Sequence, residues 1–423
     1  MTSRTRARRL AATVALTLTT GLLAGTGISG ASAAPAKVEP STWPTLAAAL
    51  QPVIDDAERR GVEMGLFVAD LDGAFGGARL HLGEQGRFTT ASTIKLSLAA
   101  TVMHQVESGT LSLEDVVTLQ PADLVGGSGV LKNNPFPQDV TVGRMLDLMI
   151  TVSDNTATNK LVDVVGGHGP INALSQDAGI AKEDLHFGRK MFGAIVLPDG
   201  DIWATPAGFE QLLDLFYATA EGSPNAGFLS VASAEHILAL MQRQQVKTKL
   251  GTAVPPGVVA HKTGENDTVS HDLGYFLIPG RDLAIGVFTR NERGYASAAW
   301  AAIAEPYVQK VAALVYAEQL RGATPMRSTT KLTLSKKRQV KGKKPVTAKV
   351  TVRAAVGTPT GKVLVRVGGK KVALVTLKAG VAAVRLPKRL AVGNQRIAVS
   401  YQATNRFAYA ASSATAALKV TKR

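Results

Sequence analysis

The sequence predicts an α+β unit followed by a small all-β sandwich. Three observations carry this expectation. Two outer helical stretches bracket strand-like runs with a helical block inserted among them, the layout of an α+β domain whose site lies between sheet and helices. Gly322-Ala323-Thr324-Pro325 then breaks the last helix. Beyond it the apolar residues change from helical spacing to strict alternation.

Taken in order, Ser41 to Arg60 has helical periodicity, with Ser41 placed to cap it. Glu63–Leu71 and Ala78–Leu82 read as strands joined by the Gly-rich turn Asp72–Gly77. Ser92 to about Gly109 is apolar on nearly every side, the pattern of a buried helix. Helical texture continues to about Gln244. Strands are expected at Val258–Lys262, Asp272–Ile278 and Leu283–Thr289, and a helix from about Ala296 to Leu320 closes the unit. After the linker, Val346, Ala348, Val350 and Val352 alternate with polar residues. Val363, Val365 and Val367 run into the hairpin pair Gly368-Gly369, and Ile397, Val399 and Tyr401 alternate again. Short strands over such a stretch predict a β-sandwich. The expected division is residues 1–33, 34–321, a linker at 322–330, and 331–423.

Composition narrows the function classes. With 423 residues, 45% of them hydrophobic, the chain can bury more than one core. It has no cysteine, which removes disulfides, thiolate metal sites and a cysteine nucleophile. Arg4, Arg6, Arg8 and Arg9 precede an apolar run from Leu10 to about Leu23, and Ala31-Ser32-Ala33 supplies an A-x-A site. This is the three-part layout of a signal peptide, so the protein is expected to be exported and cleaved near Ala33. Arg8-Arg9 resembles a twin-arginine pair, but the residues after it fit that signal poorly. Residues 327–423 hold 23 Lys and Arg and no Asp or Glu. The other 25 basic residues, four of them in the signal region, face all 32 acidic ones, so residues 34–326 carry a formal charge near −11. An acidic enzyme joined to a basic module is therefore expected. Such a module is expected to attract polyanions, which for an exported protein are anionic wall polymers or anionic lipid surfaces rather than a specific nucleic acid, the bland alternative being a soluble spacer.

Three motifs carry chemistry. Ser92-Thr93-Ile94-Lys95 opens the buried helix, where Ser and Lys three apart share a face. A serine hydroxyl needs a base, and a lysine serves only if burial or nearby positive charge lowers its pKa. A helix N-terminus adds free N–H groups for an oxyanion and a dipole that disfavours a cation. Taken alone, this motif fits a capping serine with a surface lysine better than it fits a catalytic pair. Ser153-Asp154-Asn155 alone resembles a helix cap, and Lys262-Thr263-Gly264 alone resembles a strand entering a turn.

In this order and context the three are the signature set of class A β-lactamases and penicillin-binding proteins, and residues 41–321 resemble that family. Val125–Leu131 is similar to a loop found in β-lactamase-like proteins. Residues 359–412 resemble bacterial immunoglobulin-like repeats. The resemblance implies a β-lactamase-like fold: an antiparallel sheet flanked by helices, plus a helical subdomain. It also implies roles. Ser92 is acylated, Lys95 takes or relays its proton, and Ser153 passes a proton to the leaving nitrogen. Asn155 binds the substrate side-chain amide and holds Lys95, while Lys262, Thr263 and Gly264 form the carboxylate-binding strand. The N–H groups of Ser92 and Glu265 form the oxyanion hole, and His271 stands about where many members have a carboxylate-supporting arginine. The implied substrate is a β-lactam or a D-alanyl-D-alanine-type peptide, the implied state is a monomer, and no cofactor is expected.

One departure weakens the expectation of fast turnover. Class A enzymes carry a deacylating glutamate between the second and third motifs. The matching stretch, His186–Gly193, has no acidic residue, and its neighbourhood offers only Glu183, Asp184, Asp199 and Asp201. A D,D-peptidase or esterase, and a low-turnover wall-binding homologue, therefore stand beside the β-lactamase reading. No G-x-S-x-G or H-E-x-x-H motif is present, and the seven histidines lack ligand spacing, so no metal is expected. His261 beside Lys262 fits a catalytic or a structural role, and a strand-end histidine is more often structural.

Overall fold

Residues 43–194, 200–223, 228–255, 257–323, 325–355, 358–404 and 409–422 are described by the structure, a computed structural model. The expected signal segment, the Ser41 cap and Asp199 lie outside these residues. α1 (Pro44–Arg59) begins on Pro44, whose fixed φ suits a first helical turn, and buries Leu46, Leu50, Ile54 and Ala57. β1 (Val62–Asp70) and β2 (Arg79–Gly83) follow as an antiparallel pair. Next come β3 (Phe88–Thr89), a 3₁₀ turn at Ala91–Ile94, and α2 (Lys95–Glu107). Every α2 residue from Lys95 to Met103 is buried, as an all-round apolar helix requires.

The inserted block holds β4 (Val116–Leu119), β5 (Gln138–Thr141), α3 (Val142–Thr151), α4 (Asn155–Val164) and α5 (His168–Asp177). It continues through β6 (Leu185–His186), β7 (Trp203–Ala204), α6 (Pro206–Ala220), α7 (Val231–Gln242) and the single turn α8 (Leu250–Ala253). β8 (Val259–Glu265), β9 (Ser270–Phe276), β10 (Leu283–Asn291) and α9 (Ser297–Leu320) complete the unit. The main sheet runs β2-β1-β10-β9-β8, with each adjacent pair antiparallel. Met64, Leu66, Val68, Ile285 and Val287 pack on one side with α1 and α9 residues such as Leu50, Val308 and Val311. Phe67, Ala69, Ala260, Leu273 and Tyr275 pack on the other with α2, α3 and α6. β8 is thereby an edge strand lying against the 3₁₀ turn that carries Ser92.

Three details differ from the sequence expectation. Ser92 sits in the 3₁₀ turn just before the buried helix rather than on it. Lys262-Thr263-Gly264 lies inside β8, because pairing with β9 continues to Glu265. The block read as helical also contains the pairs β4–β5 and β3–β7–β6, whose two- to four-residue strands are too short to show an alternating period.

The C-terminal module contains β11 (Ser328–Leu334), β12 (Arg338–Val340), β13 (Thr347–Ala354), β14 (Gly361–Val367), β15 (Lys370–Thr376), β16 (Val381–Arg385), β17 (Gly393–Ala403) and β18 (Ser412–Thr421). They form two sheets, β11-β13-β16 and β12-β18-β17-β14-β15. The alternation sorts the faces as expected: Ala348, Val350, Val352, Val363, Val365, Ile397, Val399 and Tyr401 are buried. Gly368 and Gly369 both have positive φ, 53° and 83°, which the tight β14–β15 turn demands. Among the described residues, no helix is long and apolar enough to cross a membrane.

Candidate active site

Ser92 is partly exposed at the front of α2, and Lys95 behind it is fully buried. The turn is held by Thr93, whose N–H and hydroxyl both donate to the Thr90 carbonyl, at 3.2 and 2.7 Å. β8 can approach this turn only because residue 264 is glycine. A Cβ there would lie 2.6 Å from the Thr90 carbonyl oxygen, inside contact distance.

The three sequence motifs meet at one hydroxyl. Lys95 Nζ donates to the Ser153 carbonyl at 2.8 Å and to Asn155 Oδ1 at 2.8 Å, and lies 3.2 Å from Ser153 Oγ. Lys262 Nζ, also fully buried, reaches the same Ser153 Oγ at 3.0 Å and donates to the Thr263 carbonyl at 2.9 Å. Burial drives the Lys95 pKa well below the ordinary lysine value, and the Lys262 charge lowers it further against an opposing pull from Asp154. Lys262 is brought down to about 7, chiefly by burial; Asp272 opposes this shift and Lys249 adds to it. A neutral Lys95 has two N–H donors for its two carbonyl-type acceptors, which leaves its lone pair for a hydroxyl.

Asp154 builds the wall around this cluster. Its carboxylate caps α4 through the Ala157 N–H at 2.9 Å and accepts the Val130 and Leu131 N–H groups at 2.6 and 2.9 Å. Asn155 donates to the Gly126 carbonyl at 2.9 Å. The loop Val125–Leu131 is therefore fixed by the second motif, and the cap reading of Asp154 coexists with the chemical one. Ser153 takes a left-handed backbone, φ 57°, which puts its carbonyl and hydroxyl on the same ammonium.

The remaining candidates are placed differently. Thr263 and Gly264 lie in β8 beside the cluster. The Glu265 side chain turns to the buried Lys249 at 2.7 Å, and Lys249 also reaches Glu305 at 3.4 Å. His271 is not brought to the cleft. It is fully buried between Phe88 and Phe288, its Nε2 meets the Thr89 carbonyl at 2.9 Å, and its Nδ1 accepts the Thr289 N–H at 3.0 Å. Both ring nitrogens are committed to backbone, and burial lowers its pKa to about 3, so it is neutral and has nothing to offer a substrate carboxylate. His261, read from the sequence as structural, is buried with Nδ1 2.8 Å from Asp272; sequence reasoning missed that partner and the buried Lys249. Neither has a local signal, since each depends on a partner in another element.

The profile of the Beta-lactamase enzyme family matches residues 45–319, and that of a bacterial Ig-like domain (group 3) matches residues 332–421. The chain belongs to the β-lactamase enzyme family. It is a serine hydrolase of the class A β-lactamase type. It is 28% identical to the extended-spectrum β-lactamase PER-1 of Pseudomonas aeruginosa over 221 residues, 48% of this chain and 68% of that one. It is 34% identical to β-lactamase L2 of Stenotrophomonas maltophilia over 134 residues, 32% of this chain but only 44% of that one. Among solved structures, the β-lactamase of Sphaerobacter thermophilus superposes with TM-score 0.55 at 29% identity, over 64% of this chain and 97% of the other. PBP-A superposes with TM-score 0.54 at 24% identity, over 66% and 98%, a likeness of fold.

Against the β-lactamase pattern the loop before α6 is unusual. Asn159, one turn beyond Asn155 on α4, clasps Met191 through both its N–H (2.7 Å) and its carbonyl (3.0 Å). Asp201 is taken by Arg189 and by the Ile202 N–H. Asp184 accepts the Thr205 hydroxyl at 2.8 Å, and the exposed Glu183 lies 3.9 Å from Lys182. Among the described residues of this loop, no carboxylate bonds to the lysine cluster.

Proposed function

We propose that the chain is an exported serine acyl-hydrolase that opens β-lactam amides through a Ser92 acyl-enzyme. The observation that carries this reading is the Ser153 hydroxyl held between Nζ of Lys95 and Nζ of Lys262. Neutral Lys95 takes the Ser92 proton as Oγ attacks the lactam carbonyl. The developing oxyanion is received by the N–H groups of Ser92 and Glu265. As the C–N bond breaks, Lys95 returns that proton through Ser153 to the leaving nitrogen, so the Ser92 proton ends on the amine and the lysine is neutral again. Lys262 stays charged, holds the Ser153 oxygen, and with Thr263 binds the substrate carboxylate. Water then cleaves the ester and restores Ser92. The basic module tethers the enzyme, acting as a monomer, to anionic wall polymers.

A second reading, a D,D-peptidase of the penicillin-binding type, is favoured by the loop whose described carboxylates are all engaged elsewhere. General-base assistance is worth roughly 10²–10⁴-fold, so its loss leaves a long-lived acyl-enzyme. Intact mass after mixing with benzylpenicillin tests both readings. An adduct of one penicillin, absent in Ser92→Ala, is expected, with drug consumption showing a burst and then a slow phase. Fast linear turnover overturns slow deacylation, and an undiminished adduct in Ser92→Ala overturns the assignment of the nucleophile.

A further inference from the structure

The three-stranded sheet of the C-terminal module turns a polar face to solvent, and its register fixes what that face contains. Side chains directly opposite each other in antiparallel strands share a face. The rows are Thr329 with Arg353, Lys331 with Thr351, Thr333 with Lys349, and Thr347 with Arg385. Lys331, Lys349, Arg353 and Arg385 are exposed, while the residues between them, Ala348, Val350, Val352 and Val384, are buried in the sandwich. Each row thus holds one cation opposite one threonine. No two cations stand directly opposite, which would be destabilising; they alternate diagonally at about 7–8 Å. Four rows two residues apart cover about 20 Å of sheet. A shallow groove of about 430 Å³ runs along β11 and β13 over this surface.

Nothing inside the module balances these charges. Residues 327–423 contain no Asp or Glu, and among the described residues none of the four cations has an ion-pair partner. Surface sheets ordinarily interleave both signs. Here the partner hydroxyls are donors and acceptors instead. Lysine, arginine and threonine together are the side chains that grip phosphate oxygens. The cations are strung out rather than converging on one point, which suits a chain of phosphates and not a single one. None of the large hydrophobic side chains exposed on the described surface lies on this face, so it has nothing to insert into a bilayer.

We infer that the exposed face of β11, β13 and β16 is the binding surface for an extended phosphodiester polymer of the cell envelope, laid along the diagonal of Arg353, Lys331, Lys349 and Arg385. This rests on the reading of the module as a polyanion tether and adds the face and the chemistry of the ligand. Four phosphate contacts imply that affinity falls on the order of 50-fold between 50 and 200 mM salt, by analogy with single-stranded polyanions.

The test uses the full chain and purified poly(glycerol phosphate). One variant replaces Lys331, Lys349, Arg353 and Arg385 with glutamine. A control removes the same charge from the exposed side of the five-stranded sheet, replacing Lys362, Lys371, Arg396 and Lys419. A single Lys349→Glu at the centre of the face is the milder probe, and each variant is checked by thermal unfolding. At least tenfold weaker binding in the face variant and in Lys349→Glu, with the control within threefold of the parent, supports the inference. Equal losses in face variant and control leave the charge tether standing and overturn the face. No binding by the parent at low salt overturns the tether itself. Tighter binding to anionic lipid vesicles or to polyglutamate than to poly(glycerol phosphate) overturns the phosphodiester assignment.

Discussion

The two lysines on the Ser153 hydroxyl differ in what surrounds them. Burial lowers both, and each has a neighbouring lysine that lowers it and an aspartate that raises it; for Lys95 the Lys262 charge outweighs Asp154, whereas for Lys262 Asp272 outweighs Lys249. Neutral Lys95 beside charged Lys262 is the arrangement this asymmetry favours near neutral pH. In the proposed reaction Lys262 must be charged to bind the substrate carboxylate, so kcat/KM for penicillin acylation, which reports the free enzyme, is expected to fall as pH rises through about 7. The same titration acts on stability with the opposite sign. The lowered folded-state pKa means the unfolded chain binds more protons between about 7 and the ordinary lysine value of 10.5, so this group adds stability as pH rises through that window. The titration of Lys262 therefore does not itself destabilise the fold where it lowers activity. Lys262→Arg, slower overall because the guanidinium is larger, keeps its charge and is expected to lose the basic limb. Acylation rates of both proteins from pH 5 to 10 check this, and an unchanged limb in the arginine variant assigns it to another group.

At the scale of elements, His271 shows what sequence could and could not reach. The resemblance put it where family members carry a carboxylate-supporting arginine, and the register does set it opposite Gly264 on the same face of the sheet as Lys262, but Phe88, Thr89 and Phe288 cover it, so it ties β9 to β10 and the segment carrying Thr89 instead. The motifs themselves were legible because each is local: S-x-x-K at a helix start, S-D-N as a cap, K-T-G on a strand. The module's strands were legible because one-sided burial imposes alternation. The Asp272 partner of His261, the buried Lys249 and the short β3–β7–β6 sheet were not, since side-chain pairing between different elements leaves no local signal. His271 also makes a prediction. Its pKa of about 3 lies below the ordinary 6.5, so the unfolded chain binds the extra proton between these values, and stability falls as pH drops through that window. The limiting slope is about 1.4 kcal/mol per pH unit. His271→Gln can keep a donor for Thr89 and an acceptor for Thr289 without titrating. Urea midpoints from pH 7 to 4 should fall less steeply in this variant, and parallel curves would remove His271 as the acid-sensitive joint.

The whole molecule joins two opposite charges. Residues 34–326 carry about −11, while the last 97 positions carry 23 basic side chains and no acidic ones. An anionic polymer that attracts the basic module, as proposed, repels the acidic enzyme. Salt should separate these two functions. The Debye length shrinks from about 10 Å at 0.1 M to about 3 Å at 1 M, which screens exposed lysines and arginines but leaves interactions among buried groups largely intact. Lys95 and Lys262 are both fully buried. Raising NaCl across that range is therefore expected to release the protein from purified walls while changing the penicillin acylation rate less than about threefold. Co-sedimentation and acylation measured on the same samples give the answer. If retention and acylation fall together, the module takes part in the site; if the protein stays on the walls at 1 M salt, something other than charge holds it there.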